Sequence, residues 1–390
     1  MSRALTAGFA AAVSLAAIAA GPWILSAPGP ASSEEPPRPA EEAAPPSPAR
    51  PPRPDVIKAI YLTSWSAATP SRVARALELL ETTELNAVVI DVKDYTGAVA
   101  FRTGSPAVAA MGAEVGRLDL GALVRRFHDA GAYVAVRIAA FQDHHLSRRR
   151  PDLAVRDAQG AVWRDNLGIG WVDPAAREVW DYLVAVGRAA AAAGVDELNF
   201  DYVRFPSDGK LDGLRYPFFD GTVGRRRTLQ RFFEHLTVAL RPTGAVLSAD
   251  LFGLTTVAAD DMGIGQILED ALLYFDYVAP MVYPSHYARG FLTFANPAAH
   301  PYAVVHYSLL RAQERRLRLR RQLSALAAGG DAGEVTLARL RPWLQAFDLG
   351  ASYPPSAVRE QIQAVYDAGG ASGWYLWSPA NVYAAAALEK

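Results

Sequence analysis

From Val56 to the C-terminus, short runs of apolar and β-branched residues alternate with longer stretches in which apolar positions recur every three or four residues. The runs read as strands buried on both faces, the longer stretches as helices with one apolar side. Strands are predicted at Ile57–Thr63, Ala87–Val92, Tyr133–Ala139, Glu197–Tyr202, Ala245–Leu251, Tyr277–Val282, Arg341–Phe347 and Gly373–Trp377. Helices are predicted at Pro70–Thr83, Leu118–Ala130, Pro174–Ala193, Arg225–Leu240, Gly265–Leu273, Leu309–Ala328, Pro355–Ala368 and Val382–Leu388. Pro70 suits a first helical turn, and Gly131 and Gly194 stand where a helix would stop. Such alternation implies a parallel sheet with crossover helices, and eight strands suit an α/β fold of the closed (β/α)8 barrel type. An open doubly wound sheet would carry a glycine-rich phosphate loop after its first strand. Here that position reads LTSWSAATP.

Polar residues interrupt the apolar runs at one end. Asp91, Arg137, Asp201, Asp250, Tyr283 and Trp377 all fall where a predicted strand meets its following loop, the end that forms the active face of such a barrel. The N-terminal part differs. Arg3 precedes an apolar stretch from Ala4 to about Leu25 with an A-x-A pattern at Ala17-Ile18-Ala19, so residues 1–26 are expected to direct export, either cleaved or retained as a membrane anchor. Residues 27–55, rich in Pro, Ala and Glu, are expected to form a disordered linker, with the barrel domain spanning 56–390. The body of the protein is therefore expected outside the cytoplasm, secreted or held at the cell envelope. With 39 Lys and Arg against 40 Asp and Glu, the chain lacks the positive field that a nucleic-acid partner requires. It has no cysteine, which excludes disulfides and thiolate chemistry.

Asp201 lies in GVDELNFDYVRFPSDG, after the apolar run Leu198 to Phe200 and before Pro206. Alone, such an acid is as ready to cap a turn as to catalyse. Asp250, in VLSADLFG, holds the equivalent place on the next strand, and neighbouring strands lie about 4.8 Å apart. Two carboxyls on adjacent tips meet the requirement of glycoside hydrolysis: one protonates the leaving oxygen and the other attacks, or activates water. Asp91, Lys93 and Arg137 would line the same mouth as binding or charge-tuning groups, or as a structural ion pair. Tyr61, Trp65, Tyr202, Tyr283 and Trp377 are among many aromatics there, and aromatic faces stack on the C–H faces of sugar rings. His144 and His145 beside Asp143 lack a fixed ligand geometry, so no metal and no cofactor is expected. No G-x-S-x-G elbow is present, and the basic run from Arg311 reads as a solvated helix face.

Four segments in order, ELNFDYVRFPSDG, SADLFGLTT, YVAPMVYPSHY and GWYLWSPANVY, resemble a bacterial family described as "Putative glycosyl hydrolase domain", over about Ile57 to Tyr383. The resemblance implies a TIM-barrel glycoside hydrolase. It implies that Asp201 is the key acid with Arg204 as rim partner, that Tyr283, Ser285 and His286 belong to a Met-x-Tyr segment like that of chitinase-like barrels, and that Trp377 and Asn381 lie near a sugar. The D-x-x-D-x-D-x-E motif of chitinases is missing, since Tyr202-Val203-Arg204 follows Asp201, which argues against substrate-assisted cleavage. The arrangement is closer to the α-amylase and α-galactosidase type of barrel, with its nucleophile on the fourth strand. The expected partner is thus a carbohydrate. Two alternatives stay open: a non-catalytic carbohydrate-binding barrel at the cell envelope, and a metal-dependent deacetylase.

Overall fold

The computed structural model describes residues 52–327 and 336–390. The expected export segment and the linker up to residue 51 lie outside the described residues. Eight parallel strands close into a barrel: β1 (Ile57–Leu62), β2 (Ala87–Lys93), β3 (Tyr133–Ala139), β4 (Glu197–Asp201), β5 (Val246–Phe252), β6 (Tyr277–Met281), β7 (Trp343–Gln345) and β8 (Gly373–Trp377). Each pairs with the next, and β8 returns to β1 with Ile57 opposite Gly373. The principal outer helices are α1 (Pro70–Thr82), α2 (Leu120–Asp129), α3 (Arg177–Ala192), α4 (Arg225–Leu240), α5 (Leu268–Tyr274), α6 (Pro301–Ala327) and α7 (Pro355–Ala368). The (β/α)8 expectation therefore holds.

The departures have local causes. The expected seventh strand is split into Arg339–Leu340 and β7, because Pro342 between them has no N–H for the ladder. Helix α5 starts three residues late, at Leu268, since Gly265 has φ 84°, a left-handed conformation that no helix contains. Helix α6 starts at Pro301 rather than Leu309, because Val304, Val305 and Ser308 extend its buried side upstream. The last expected helix is a single 3-10 turn, Ala385–Ala387. After β2 the chain adds two short strands, Val99–Phe101 and Glu114–Leu118, which the sequence pattern did not suggest.

Side chains alternate along each strand. Leu198, Phe200, Leu247 and Ala249 belong to the large apolar layer beneath the helices, while Tyr61, Val89, Tyr133, Ala135, Trp343 and Tyr375 form a separate cluster that fills the barrel. Burying one such large side chain contributes about 1.5–3 kcal/mol. On β4, Glu197, Asn199 and Asp201 are every second residue and all are buried, so one strand carries a polar group at three heights of the barrel. At the lowest, Glu197 accepts hydrogen bonds from Tyr133 Oη (3.0 Å), Ser248 Oγ (2.5 Å), Tyr375 Oη (2.9 Å) and both Nη atoms of Arg341 (3.0 Å each). Asn199 links the heights by donating through Nδ2 to Ser248 Oγ (2.9 Å) and to Asp250 Oδ1 (2.8 Å).

Candidate active site

The upper ends of β3, β4 and β5 place Arg137, Asp201 and Asp250 side by side. Arg137 donates from Nε to Asp201 Oδ2 at 3.0 Å, from Nη2 to the same oxygen, and from Nη1 to Asp91 Oδ1 at 2.7 Å. Its Nε also lies 3.7 Å from Asp250 Oδ2. The two Oδ2 atoms flank one nitrogen and so lie no more than about 6.7 Å apart, a bound that takes in the spacing of retaining glycosidases and reaches only the lowest part of the inverting range. Asp91 is held from behind by the Tyr61 hydroxyl, which donates to Oδ2. Burial pushes the Tyr61 hydroxyl and the Asp91 carboxyl above their ordinary values, and for Asp91 the charge of Arg137 offsets part of this.

The two catalytic candidates have unlike surroundings. Asp201 is ion-paired to Arg137, and its Oδ1 accepts the backbone N–H of Tyr202 at 2.5 Å. Asp250 is 1% exposed and meets Arg137 only at 3.7 Å, beyond hydrogen-bonding distance. Its Oδ1 accepts from Asn199 Nδ2 and from Trp343 Nε1, each at 2.8 Å, while its Oδ2 is buried with no hydrogen-bond partner. Burial, reinforced by the negative charge of Asp201, raises the Asp250 carboxyl well above the usual aspartate range. One acid is thus paired with a cation and its neighbour is pushed toward the protonated form, an asymmetry of the kind seen in paired-carboxylate sites.

A cavity of about 380 Å³ opens above these groups, within the range of roughly 300–1,000 Å³ usual for small-molecule sites. Its aromatic side is made by Tyr283 and Trp377, stacked with ring centroids 5.4 Å apart, with Phe347 edge-on to Trp377 at 4.8 Å. Burial carries the Tyr283 hydroxyl well above its ordinary value, so it stays a neutral donor. Opposite, Tyr202 adopts φ 53°, a left-handed conformation costing a non-glycine residue roughly 1–3 kcal/mol. That turn points its N–H at Asp201 and puts the ring on the cavity wall beside Arg204. The floor continues through Gly253, where a Cβ would come within 2.5 Å of the Met281 carbonyl oxygen, so the close passage of the two strand ends requires glycine.

Of the residues singled out from sequence, Asp201, Asp250, Arg137, Arg204, Tyr283, His286 and Trp377 line the cavity. Tyr61 and Asp91 stand one layer behind, holding Arg137. Three others do not reach it. A register shift between Asp91 and Lys93 turns Lys93 out of the barrel toward Tyr182 of α3, where it is fully buried, pairs with Asp143 at 2.8 Å and donates to the Ala139 carbonyl. Trp65 is 65% exposed on the rim and stacks under the Arg117 guanidinium at 3.7 Å. Asn381 accepts the N–H of Thr63 and donates to the Ser378 carbonyl, tying the loop after β8 to the end of β1. Trp343 was overlooked, although the period-two alternation Arg341, Trp343, Gln345 could have pointed it inward. His144 accepts from the Gly170 N–H, and His145 Nε2 lies 3.0 Å from the Met111 carbonyl oxygen. Among the described residues no three His, Asp or Glu side chains are grouped as metal ligands.

Residues 59–383 match the family described as "Putative glycosyl hydrolase domain", domain of unknown function 4015. The chain belongs to that family. Its fold is similar to that of the glycoside hydrolase domain of PgaB (BpsB) from Bordetella bronchiseptica, with 14% identity, TM-score 0.57, and coverage of 84% of this chain and 95% of that one. It also resembles an exo-β-N-acetylglucosaminidase from Vibrio harveyi, with 10% identity, TM-score 0.51, and 83% and 50% coverage. A hypothetical protein from Ruminiclostridium thermocellum is 34% identical over 49% of this chain and 96% of its own, with TM-score 0.45. No curated protein matches the chain. Family and fold together assign the protein to the glycosidase-like barrels.

Proposed function

We propose that the protein hydrolyses a glycosidic bond with retention of configuration, with Asp201 as nucleophile and Asp250 as general acid and base. The observation that carries this is the pair itself: two carboxyls flank one arginine nitrogen, one ion-paired, the other raised by burial and with its Oδ2 unpartnered. In the first step the Asp250 carboxyl gives its proton to the glycosidic oxygen as the bond from that oxygen to the anomeric carbon breaks, and an Asp201 oxygen bonds to that carbon. In the second, water attacks the anomeric carbon, its proton passes to the Asp250 carboxylate, and the Asp201 ester bond breaks. Arg137 pairs with Asp201 and aims it, while the Tyr283–Trp377 wall offers a stacking surface for a sugar ring.

The site of action we propose is outside the cytoplasm, on a cell-envelope or extracellular oligo- or polysaccharide; this rests on the leader-like pattern of residues 1–26. The test is turnover of aryl glycosides and polysaccharides by the wild type and by Asp201→Asn, with the anomer of the first product read by NMR. Asp201→Asn should lower kcat/KM by at least about a thousandfold with its fold intact. Turnover unaffected by that change would sink the assignment. An inverted first product would make Asp201 a base, and sugar binding without cleavage by the wild type would favour a binding barrel instead.

A further inference from the structure

Among the described residues two arginines are buried outright, and they are treated differently. Arg341, at 0% exposure, is neutralised by Glu197. Arg204, at 6%, has no carboxylate within ion-pair distance. It is sandwiched by aromatic rings, its guanidinium carbon 4.7 Å from the centroid of Trp171, 5.3 Å from that of Tyr202 and 4.5 Å from that of Phe252. Those rings fix its plane and shield it from water. Its Nη1 donates to Ser207 Oγ at 2.8 Å and to the Phe205 carbonyl at 3.3 Å. Its Nε and Nη2 make no hydrogen bond to a described residue, and neither belongs to the polar atoms sealed from solvent without a partner. Arg204 lines the same cavity as Asp201 and Asp250. Asp208, on that wall too, has its Oδ1 on the Asn166 N–H at 3.3 Å; like Asp201 and Asp165 it acts on Arg204 only at longer range and forms no ion pair with it.

A buried guanidinium without a counter-ion is costly, and a protein that needed only packing there would be served as well by an apolar side chain. The free Nε–Nη2 edge is a planar pair of donors whose spacing matches the two oxygens of a carboxylate. We propose that the cavity takes a sugar bearing a carboxylate, a uronic acid or an acid-substituted residue, whose carboxylate seats on the Nε–Nη2 edge of Arg204. This rests on the carbohydrate reading of the cavity, and it makes Arg204 the residue that separates acidic from neutral glycans. Arg137 is no rival for that role, since Asp91 and Asp201 already occupy its donors.

The test is titration calorimetry of the wild-type protein with oligosaccharides of polygalacturonate, polymannuronate and glucuronoxylan, each beside its own carboxyl-reduced form, and with a sulfated oligosaccharide as a further anion. At least one uronate should bind about 10- to 100-fold more tightly than its reduced form, the range expected of a charge-assisted two-donor contact. In Arg204→Gln the uronate and its reduced form should bind alike, and Arg204→Lys should keep part of the preference. The inference is overturned if no uronate binds, if none outbinds its reduced form, if the sulfated sugar outbinds every uronate, or if a folded Arg204→Gln keeps the full preference. The wild-type comparison needs no variant, so it decides even where Arg204→Gln does not fold. Turnover of neutral glycosides without acidic preference would leave the hydrolase reading standing and this one fallen; acidic preference without turnover would do the reverse.

Discussion

Two polar clusters share the interior of one barrel, four residues apart along β4, or about 13 Å. The lower, around Glu197, spends its carboxylate fully: four side chains donate to it, its arginine is paired, and both residues are fully buried. The upper, around Asp201 and Asp250, is built from the same residue types yet left incomplete. Asp250 Oδ2 has no hydrogen-bond partner, one arginine serves three carboxylates, and Arg204 on the same cavity has no carboxylate within ion-pair distance. At the closed end the carboxylate is fully bonded, with Arg341 Nε left without a partner, and the network ties the strands together, whereas the open end has carboxylate and guanidinium valence left for a ligand.

Glu197→Ala breaks the comparison from below. It leaves the Arg341 charge sealed and unpaired, and should cost about 3–5 kcal/mol in chemical denaturation, a large part of a domain's stability. A loss under about 1 kcal/mol would show that the lower cluster is not structural. Asp250→Asn attacks from above with the opposite signature. Activity on a glycoside with a poor leaving group should fall about a hundred- to a thousandfold, while the amide oxygen can still accept from Asn199 and Trp343. Stability at neutral pH should be unchanged or higher. The sign follows from the raised carboxyl: in the wild type the stability tied to a protonated Asp250 is present at low pH and lost as pH rises through its folded-state value, whereas the amide has no proton to lose. The difference in melting temperature between variant and wild type should therefore grow with pH, and a flat difference would contradict the raised value.

The same group should set the alkaline limb of the wild-type profile, with kcat/KM falling as pH rises past it and that limb absent in Asp250→Asn. Asp91→Asn should have the smallest effect, about tenfold in kcat with KM little changed, because Asp91 touches Arg137 and not the cavity. An equal loss from Asp91→Asn and Asp201→Asn would mean that Asp91 itself contacts substrate.

Period-two and period-3.6 patterning alone were enough to place the eight strands and most helices, since burial on two faces or on one is written into each segment. Asp201, Asp250 and Arg137 were legible as rim residues for the same reason, being polar groups that end apolar runs. Lys93 was misplaced because a register shift reverses the side of a strand that a side chain occupies, and such a shift leaves no mark in composition. Asn381 and Trp65 were misplaced because a loop's path depends on what it packs against. The roles of the two acids lay beyond any local pattern. Both are aspartates at strand ends, and only closure of the barrel gives one to Arg137 and leaves the other buried beneath Trp343 with a free oxygen. What the chain by itself determined was the barrel and the polar groups, Asp201, Asp250 and Arg137 among them, that end its strands, because those follow from hydrophobic period. Which acid pairs with Arg137 and which is raised by burial, and which arginine lacks an ion-pair partner, was decided by the tertiary structure, because pairing and desolvation depend on neighbours far apart in sequence.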